Sequence, residues 1–198
     1  MSLSIATHLL RALKLKLDER KLVWRFCAGD RQAFDELFDR YADRVLGFAI
    51  HLTRSRADAE DLVQEAFVAA CTGYSAFQGR SSILTWLLGI AVRRWRDRSR
   101  QQTPEMVSFD EELDSDADVL QFEPNPIERQ VIDSISLADA LGKLTPPFRE
   151  ALLLVASQGL TYREAAEVTG EPVRTVKWRV SRAMHSVRQS LNATGIVA

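Results

Sequence analysis

The chemistry this chain could do is concentrated in side chains that bind rather than react. Residues 93–100 hold five arginines and one acid (Arg93-Arg94-Trp95-Arg96-Asp97-Arg98-Ser99-Arg100), and they follow a polar, glycine-bearing stretch, Tyr74 to Trp86. Aromatic rings interleaved with guanidinium groups suit single-stranded nucleic acid. Rings stack on exposed bases at roughly 1–3 kcal/mol each, and guanidiniums hold phosphates. A base read in this way must leave the duplex stack. The plainer alternative is a basic helix end with Trp86 and Trp95 both in the core.

A second group of basic residues lies on one arc of a helix. From Val173, the positions Val176, Val180, Ala183 and Val187 repeat at helical spacing, while Arg174, Lys177, Trp178, Ser181, Arg182, His185 and Arg188 occupy the opposite arc. Upstream, Thr161 and Glu164 have capping-box spacing. Thr169-Gly170-Glu171 reads as a tight turn, and Pro172 stands where a helix can begin. Together these make a helix-turn-helix with a basic second helix shaped for the major groove. A plain helical hairpin is the alternative.

A third stripe is acidic. In Asp58-Ala59-Glu60-Asp61-Leu62-Val63-Gln64-Glu65-Ala66-Phe67, the residues Ala59, Leu62, Val63, Ala66, Phe67 and Ala70 share one helical face, leaving Asp58, Asp61, Gln64 and Glu65 on the other. Such a stripe suits a basic partner surface. It also suits an ordinary solvated helix whose N-terminal acids favour the dipole.

Catalytic patterns do not emerge. The sequence offers no Gly-rich phosphate loop, Ser/His/Asp series, paired catalytic carboxylates or zinc spacing. Its histidines at 8, 51 and 185 are scattered, and Cys27 and Cys71 lack both metal-ligand spacing and a disulfide framework. No enzyme, no metal and no cofactor is therefore expected.

The elements that must position these groups are helical almost throughout. Apolar three-four spacing runs from Asp30, a plausible N-cap, through Phe34, Leu37, Phe38, Tyr41, Val45, Phe48 and Ala49 to Leu52. Further helices are expected over about 57–72, from Ser81 or Ser82 to about Arg100, and within about 127–191. In the third helix, Leu84, Leu87, Leu88, Ala91 and Trp95 make the buried side, while Trp86, Ile90, Arg93 and Asp97 point elsewhere. At the start, Leu3, Ala6, Leu10, Leu13 and Leu17 share a stripe. His8, Arg11, Lys14 and Lys16 interrupt the apolar residues, so this is expected to be a packing helix or extension rather than a signal peptide. The bulk numbers agree: 46% hydrophobic residues over 198 positions can bury cores, and no apolar run is long enough to span a membrane.

The net charge of −1 hides an uneven distribution. Residues 104–128 hold nine acids and no base, while 1–103 carry 17 bases against 12 acids and 129–198 carry nine against six. Two basic blocks are thus joined by an acidic strap, broken by Pro104, Pro124 and Pro126. The expected fold is all-α: two small helical domains joined by an acidic flexible linker, the second containing the helix-turn-helix.

At these residues the chain resembles a bacterial RNA polymerase sigma factor of the extracytoplasmic-function (ECF) class. The resemblance covers about 21–191 and rests on the order DAEDLVQEAF, FQGRSSILTWLLGIAV, an acidic linker, then GLTYREAAEVTGEPVRTVKWRVSRA. It implies a domain over 21–103 that binds core RNA polymerase through Asp58, Asp61, Gln64 and Glu65. That domain would read and melt the minus-ten element with residues from Phe77 to Leu84, notably Phe77, Arg80, Ser81 and Ser82, and with Trp86, Arg93, Arg94 and Arg96. It implies a linker over 104–128 running through the polymerase. A domain over 129–193 would read the minus-thirty-five element with Arg174, Thr175, Lys177, Trp178, Ser181 and Arg182. Residues 1–20 would be an extension of no assigned role.

The implied partners are core RNA polymerase, promoter DNA and an inhibiting anti-sigma factor, with no small-molecule substrate. The implied location is the cytoplasm, and stress responses are the usual setting. Departures from the family pattern are Arg93 where Asn is usual, Gly89 for a polar or basic residue, Trp178 for a small one, and Leu144-Thr145-Pro146-Pro147 for the usual Leu-Pro opening. These bear on promoter sequence rather than on polymerase partnership. The rival class is a stand-alone helix-turn-helix regulator, which would need a dimer surface and symmetric half-sites.

Overall fold

The computed structural model describes residues 17–102 and 134–193, and there the chain is helical with no strand. The order is α1 (17–27), α2 (Arg31–Thr53), α3 (Arg56–Thr72), a 3-10 turn (Tyr74–Ala76) and α4 (Ile83–Gln102) in the first half. The second half holds α5 (Ser134–Gly142), α6 (Pro146–Leu152) running into a π turn (Leu153–Ser157), α7 (Tyr162–Thr169) and α8 (Val173–Ala193). The acidic strap over 104–128, the domain limits expected at 103 and 129, and the stripe residues Leu3 to Leu13 lie outside the described residues. No described helix is long and apolar enough to cross a membrane.

Local chemistry sets most of the boundaries. Asp30 starts α2: its Oδ1 accepts from the backbone N–H of Gln32 at 2.9 Å and of Ala33 at 3.4 Å, while Arg25 Nε donates to Oδ2 at 2.7 Å. The Arg25 bond, with the cap bonds, holds the Asp30 carboxyl below its usual range. Ser55 caps α3 and Ser82 caps α4, each hydroxyl accepting a backbone N–H three residues on. The expected capping box is present, with Thr161 Oγ1 accepting from Glu164 N–H and Glu164 Oε2 accepting from Thr161 N–H. A side-chain cap of this kind stabilises a helix by about 1 kcal/mol.

The core follows the apolar stripes. Helix α2 buries Ala33, Leu37, Tyr41, Val45, Phe48, Ala49 and Leu52, and α3 buries Ala59, Leu62, Val63, Ala66, Phe67 and Ala70. Helix α8 buries Val176, Val180, Ala183, Val187 and Leu191 against α5, α6 and α7. Val173, expected in the same stripe, is exposed at the first position of α8.

Helix α4 differs from expectation. Ile90 and Val92 are buried as well as Leu84, Leu87, Leu88 and Ala91, while Trp95 is only half-buried. The reason is tertiary: α4 packs on α2 and α3 of its own half and also on α7 of the second half. A two-sided helix loses the one-stripe pattern.

The halves meet at a seam with polar fastenings. Arg149, buried in α6, donates to the carbonyls of Leu141, Gly142 and Leu144 at the end of α5 and to that of Leu52 in α2. Burial lowers its pKa, with nearby Arg54 adding to the effect. Arg54 donates to the Gly142 carbonyl at 3.4 Å. A Cβ at Gly142 would stand 2.8 Å from the Arg54 guanidinium and would displace that flexible side chain from this carbonyl. Arg44 Nε donates to Gln158 Oε1 at 3.1 Å, and its terminal nitrogen donates to the Gln158 carbonyl.

Candidate nucleic-acid interface

The acidic stripe emerges on the outer side of α3 because the opposite face is spent on the core. Asp58, Asp61, Gln64 and Glu65 are all exposed. Glu65 is the one tied to a neighbour, accepting from Arg98 of α4 at 2.5 Å. Asp58 sits in the first turn, where the helix dipole favours it. The result is an anionic, amide-bearing ridge on a rigid helix.

The loop between α3 and α4 is held from beneath by rings. Phe77 is 9% exposed and lies 5.2 Å, centroid to centroid, from Trp86, which is half-buried. Trp86 packs edge-on against Phe26 of α1 at 6.0 Å, and Phe26 in turn packs against Tyr74. Phe77 and Trp86 therefore lie where they anchor the loop. Arg80 and Ser82 project from it, and Ser81 is half-buried. Arg93 and Arg94, in the second half of α4, are exposed. Arg80 on the loop and Arg93 and Arg94 on α4 are exposed guanidiniums, each able to hold a phosphate.

Arg96 is placed differently from its neighbours. It turns to the second half, where Nε and one terminal nitrogen donate to the two oxygens of Glu150 at 3.0 and 2.7 Å, and the other terminal nitrogen donates to the Thr169 carbonyl at 2.7 Å. Glu171 stands 3.5 Å from the same guanidinium and accepts from Arg179 at 2.5 Å. The Glu150 side chain is 1% exposed. Burial pushes its carboxyl up to about 7, against the pull of Arg96.

Sequence reasoning passed over Glu150. The signal was available: a lone acid on the helical stripe that also carries Leu154, four residues on.

In the helix-turn-helix, α7 ends at Gly170, whose φ of +71° is the left-handed turn that glycine permits. Arg174, Lys177, Ser181 and Arg182 are exposed on one arc of α8, and Thr175 is half-buried. Lys177 Nζ lies 5.7 Å from the centre of the Tyr162 ring, a cation–π contact that orients it. Trp178 packs at 5.3 Å against Phe148 of α6, so its ring braces α8 on its neighbour. The arc offers donors to phosphates and base edges, the chemistry of major-groove readout.

Among the described residues no three His, Cys, Asp or Glu side chains gather where they could hold a metal ion. Cys27 is half-buried, with burial raising its pKa, and Cys71 is exposed.

Comparison with known proteins agrees with this geometry. The Sigma-70 region 2 family model matches residues 37–105, and the Sigma-70 region 4 model matches 134–186. The ECF RNA polymerase sigma-E factor of Haemophilus influenzae is 31% identical over 191 residues, covering 89% of this chain and 96% of that protein. The RNA polymerase sigma-H factor of Pseudomonas aeruginosa is 29% identical over 180 residues, covering 87% and 93%. Among solved structures, CnrH in complex with the cytosolic domain of CnrY matches with a TM-score of 0.64 and 25% identity, over 88% of this chain and 97% of that one. The sigma factor RpoE in complex with the anti-sigma factor NepR from Bartonella quintana matches with a TM-score of 0.64 and 27% identity, over 80% and 96%.

Proposed function

The chain belongs to the ECF RNA polymerase sigma factors, and from that premise we propose how its surfaces divide the work of promoter-directed initiation. Residues 21–103 bind core RNA polymerase through Asp58, Asp61, Gln64 and Glu65 of α3. The same module takes the minus-ten element, with Arg80, Ser81 and Ser82 on the loop, Phe77 and Trp86 beneath it, and Arg93, Arg94 and Arg96 on α4. Residues 129–193 dock on the minus-thirty-five duplex with Arg174, Thr175, Lys177, Trp178, Ser181 and Arg182. Residues 104–128 connect the two readers.

The mechanism is one of binding alone. Contacts from α8 to phosphates and groove edges anchor the second module on duplex DNA. Capture of an unpaired base at the loop shifts the duplex toward its melted form, offsetting the few kcal/mol that extrusion costs. The chain regulates initiation without a covalent step of its own and acts in the cytoplasm, where the polymerase works. RpoE and CnrH have been solved with NepR and with the cytosolic domain of CnrY, respectively. By that likeness an anti-sigma factor holds this protein inactive.

The observation that carries the proposal is the coexistence in one chain of an exposed acid-and-amide ridge on α3 and two separate basic faces, on α4 and α8. A self-sufficient repressor has no use for the first. Gel-shift experiments on promoter fragments, with and without core polymerase, separate the two readings. Sequence-specific binding that requires the polymerase is expected. Tight binding of the free protein to a palindrome would favour the stand-alone regulator.

A further inference from the structure

The outer face of α1 carries apolar side chains into solvent. Leu17 is 52% exposed and Trp24 73%, the most exposed of the large hydrophobic side chains among the described residues. They stand seven residues apart, so two turns of helix bring them to nearly the same side. Leu22 and Phe26, 1% and 3% exposed, hold the other side of α1 on the core. A single surface hydrophobic is ordinary, but apolar side chains gathered on one stripe and flanked by charge mark a contact surface.

The sequence extends the same stripe. Leu3, Ala6, Leu10 and Leu13 lead to Leu17 at three-four spacing, and Arg20 and Trp24 carry that spacing on through α1. The flanks are cationic. Arg20 and Lys21 are exposed, and residues 1–17 hold Arg11, Lys14 and Lys16 with no acid. The two acids of α1 lie off the stripe. Tyr41 Oη donates to Glu19 Oε1 at 2.8 Å, which turns Glu19 towards α2. Asp18 stands about 100° round the helix from Leu17.

We propose that the outer stripe of α1, Leu17 and Trp24 with Arg20 and Lys21, together with the sequence that leads into it, docks on the surface of an anionic phospholipid bilayer. Leucine and the indole enter the boundary between headgroups and acyl chains, where tryptophan is favoured. Arg20 and Lys21 lay their stems along the apolar surface and keep their charges among the lipid phosphates. Charge selects this occupant. A second copy would set Arg20 and Lys21 against the same cations, and like charges brought together at an interface repel. Nucleic acid would suit the cations and the ring but would give a leucine stripe nothing to bury itself in. The residues assigned to polymerase and promoter lie on other elements, so the inference does not depend on those assignments.

The test is co-sedimentation of the full chain with sucrose-loaded vesicles, made either of phosphatidylglycerol and phosphatidylcholine in equal parts or of phosphatidylcholine alone, with no polymerase or DNA present. Binding to the first and not to the second is expected, weakening as salt rises. Trp24→Ala is expected to lower the affinity roughly tenfold, the worth of partly burying a large side chain, and Trp24→Phe should restore most of it. Lys21→Gln should lower the affinity about fivefold, the share of one cation near an anionic surface. Trp24 and Lys21 are exposed, so the thermal unfolding of each variant should match that of the parent.

Failure to sediment with the anionic vesicles overturns the proposal. Undiminished binding of Trp24→Ala overturns it too, because the contact would then belong to the basic faces of α4 and α8. Dimerisation of the free chain in sedimentation equilibrium, lost in Trp24→Ala, would give the stripe to a second copy. Run-off transcription from naked promoter DNA is expected to be the same for Trp24→Ala and the parent, and a loss would give the stripe to the polymerase instead. The vesicle measurement contains neither polymerase nor promoter, so it stands or falls apart from the initiation account.

Discussion

At the scale of single residues, charge in unusual surroundings governs most of the expected behaviour. Glu150 is the clearest case. Burial pushes its carboxyl from an ordinary 4.5 up to about 7, while Arg96 and then Arg179 pull it down and Glu171 adds to the rise. Between these values the folded chain keeps a proton that the unfolded chain has released. The associated stability is complete below about 4.5 and is lost as pH rises through about 7. At about 1.4 kcal/mol per unit the swing is on the order of 3 kcal/mol. Glu150→Gln is therefore expected to flatten the fall of melting temperature across this window, measured by circular dichroism; an unaltered profile would assign the slope to other groups. On α3, Asp61→Arg places a cation in the middle of the exposed ridge. It is expected to abolish co-purification with core polymerase while leaving stability within about 1 kcal/mol of the parent, as exposed substitutions do. Retained co-purification would move the polymerase contact off this ridge.

At the scale of elements, the helices and their ends were legible because local chemistry decides them. Asp30, Thr161 with Glu164, and Gly170 each do what their type and spacing imply. The core face of α3 follows its stripe, as does that of α8 apart from Val173, while on α2 the stripe residue Phe38 is exposed. What was not legible depends on residues far away in sequence. Ile90 and Val92 point to nearly opposite sides of α4, and both are buried because α4 packs on α2, α3 and α7. Arg96 meets an acid 54 positions on, and Trp178 finds Phe148 on another helix. No periodicity contains those meetings. Two predictions belong here. Trp86→Ala removes the ring that joins Phe77 to Phe26. It is expected to cost about 3–5 kcal/mol of stability if the site is rigid and to reduce open-complex formation in permanganate footprinting at temperatures where the variant stays folded. Normal melting under those conditions would confine Trp86 to the core. Lys177→Ala with Arg182→Ala is expected to weaken initiation from promoters that depend on the minus-thirty-five element, by about 1–3 kcal/mol for each base edge no longer held, in run-off assays. An undiminished transcript would take α8 out of the groove.

At the scale of the whole molecule, an anionic ridge, a loop on an aromatic floor and a basic helix are distributed over two helical halves. In the closed arrangement the halves share a polar seam and one apolar cluster of buried side chains. The decisive question is whether the chain tells a polymerase where to start. It is answered by transcription of bacterial genomic DNA by core polymerase, with and without the purified protein, followed by mapping of the transcript 5′ ends. A promoter-specificity subunit should yield a small set of start sites that appear only with the protein, share a two-part motif at fixed spacing, and vanish with Asp61→Arg. Identical 5′ ends in both reactions would show that it is not one.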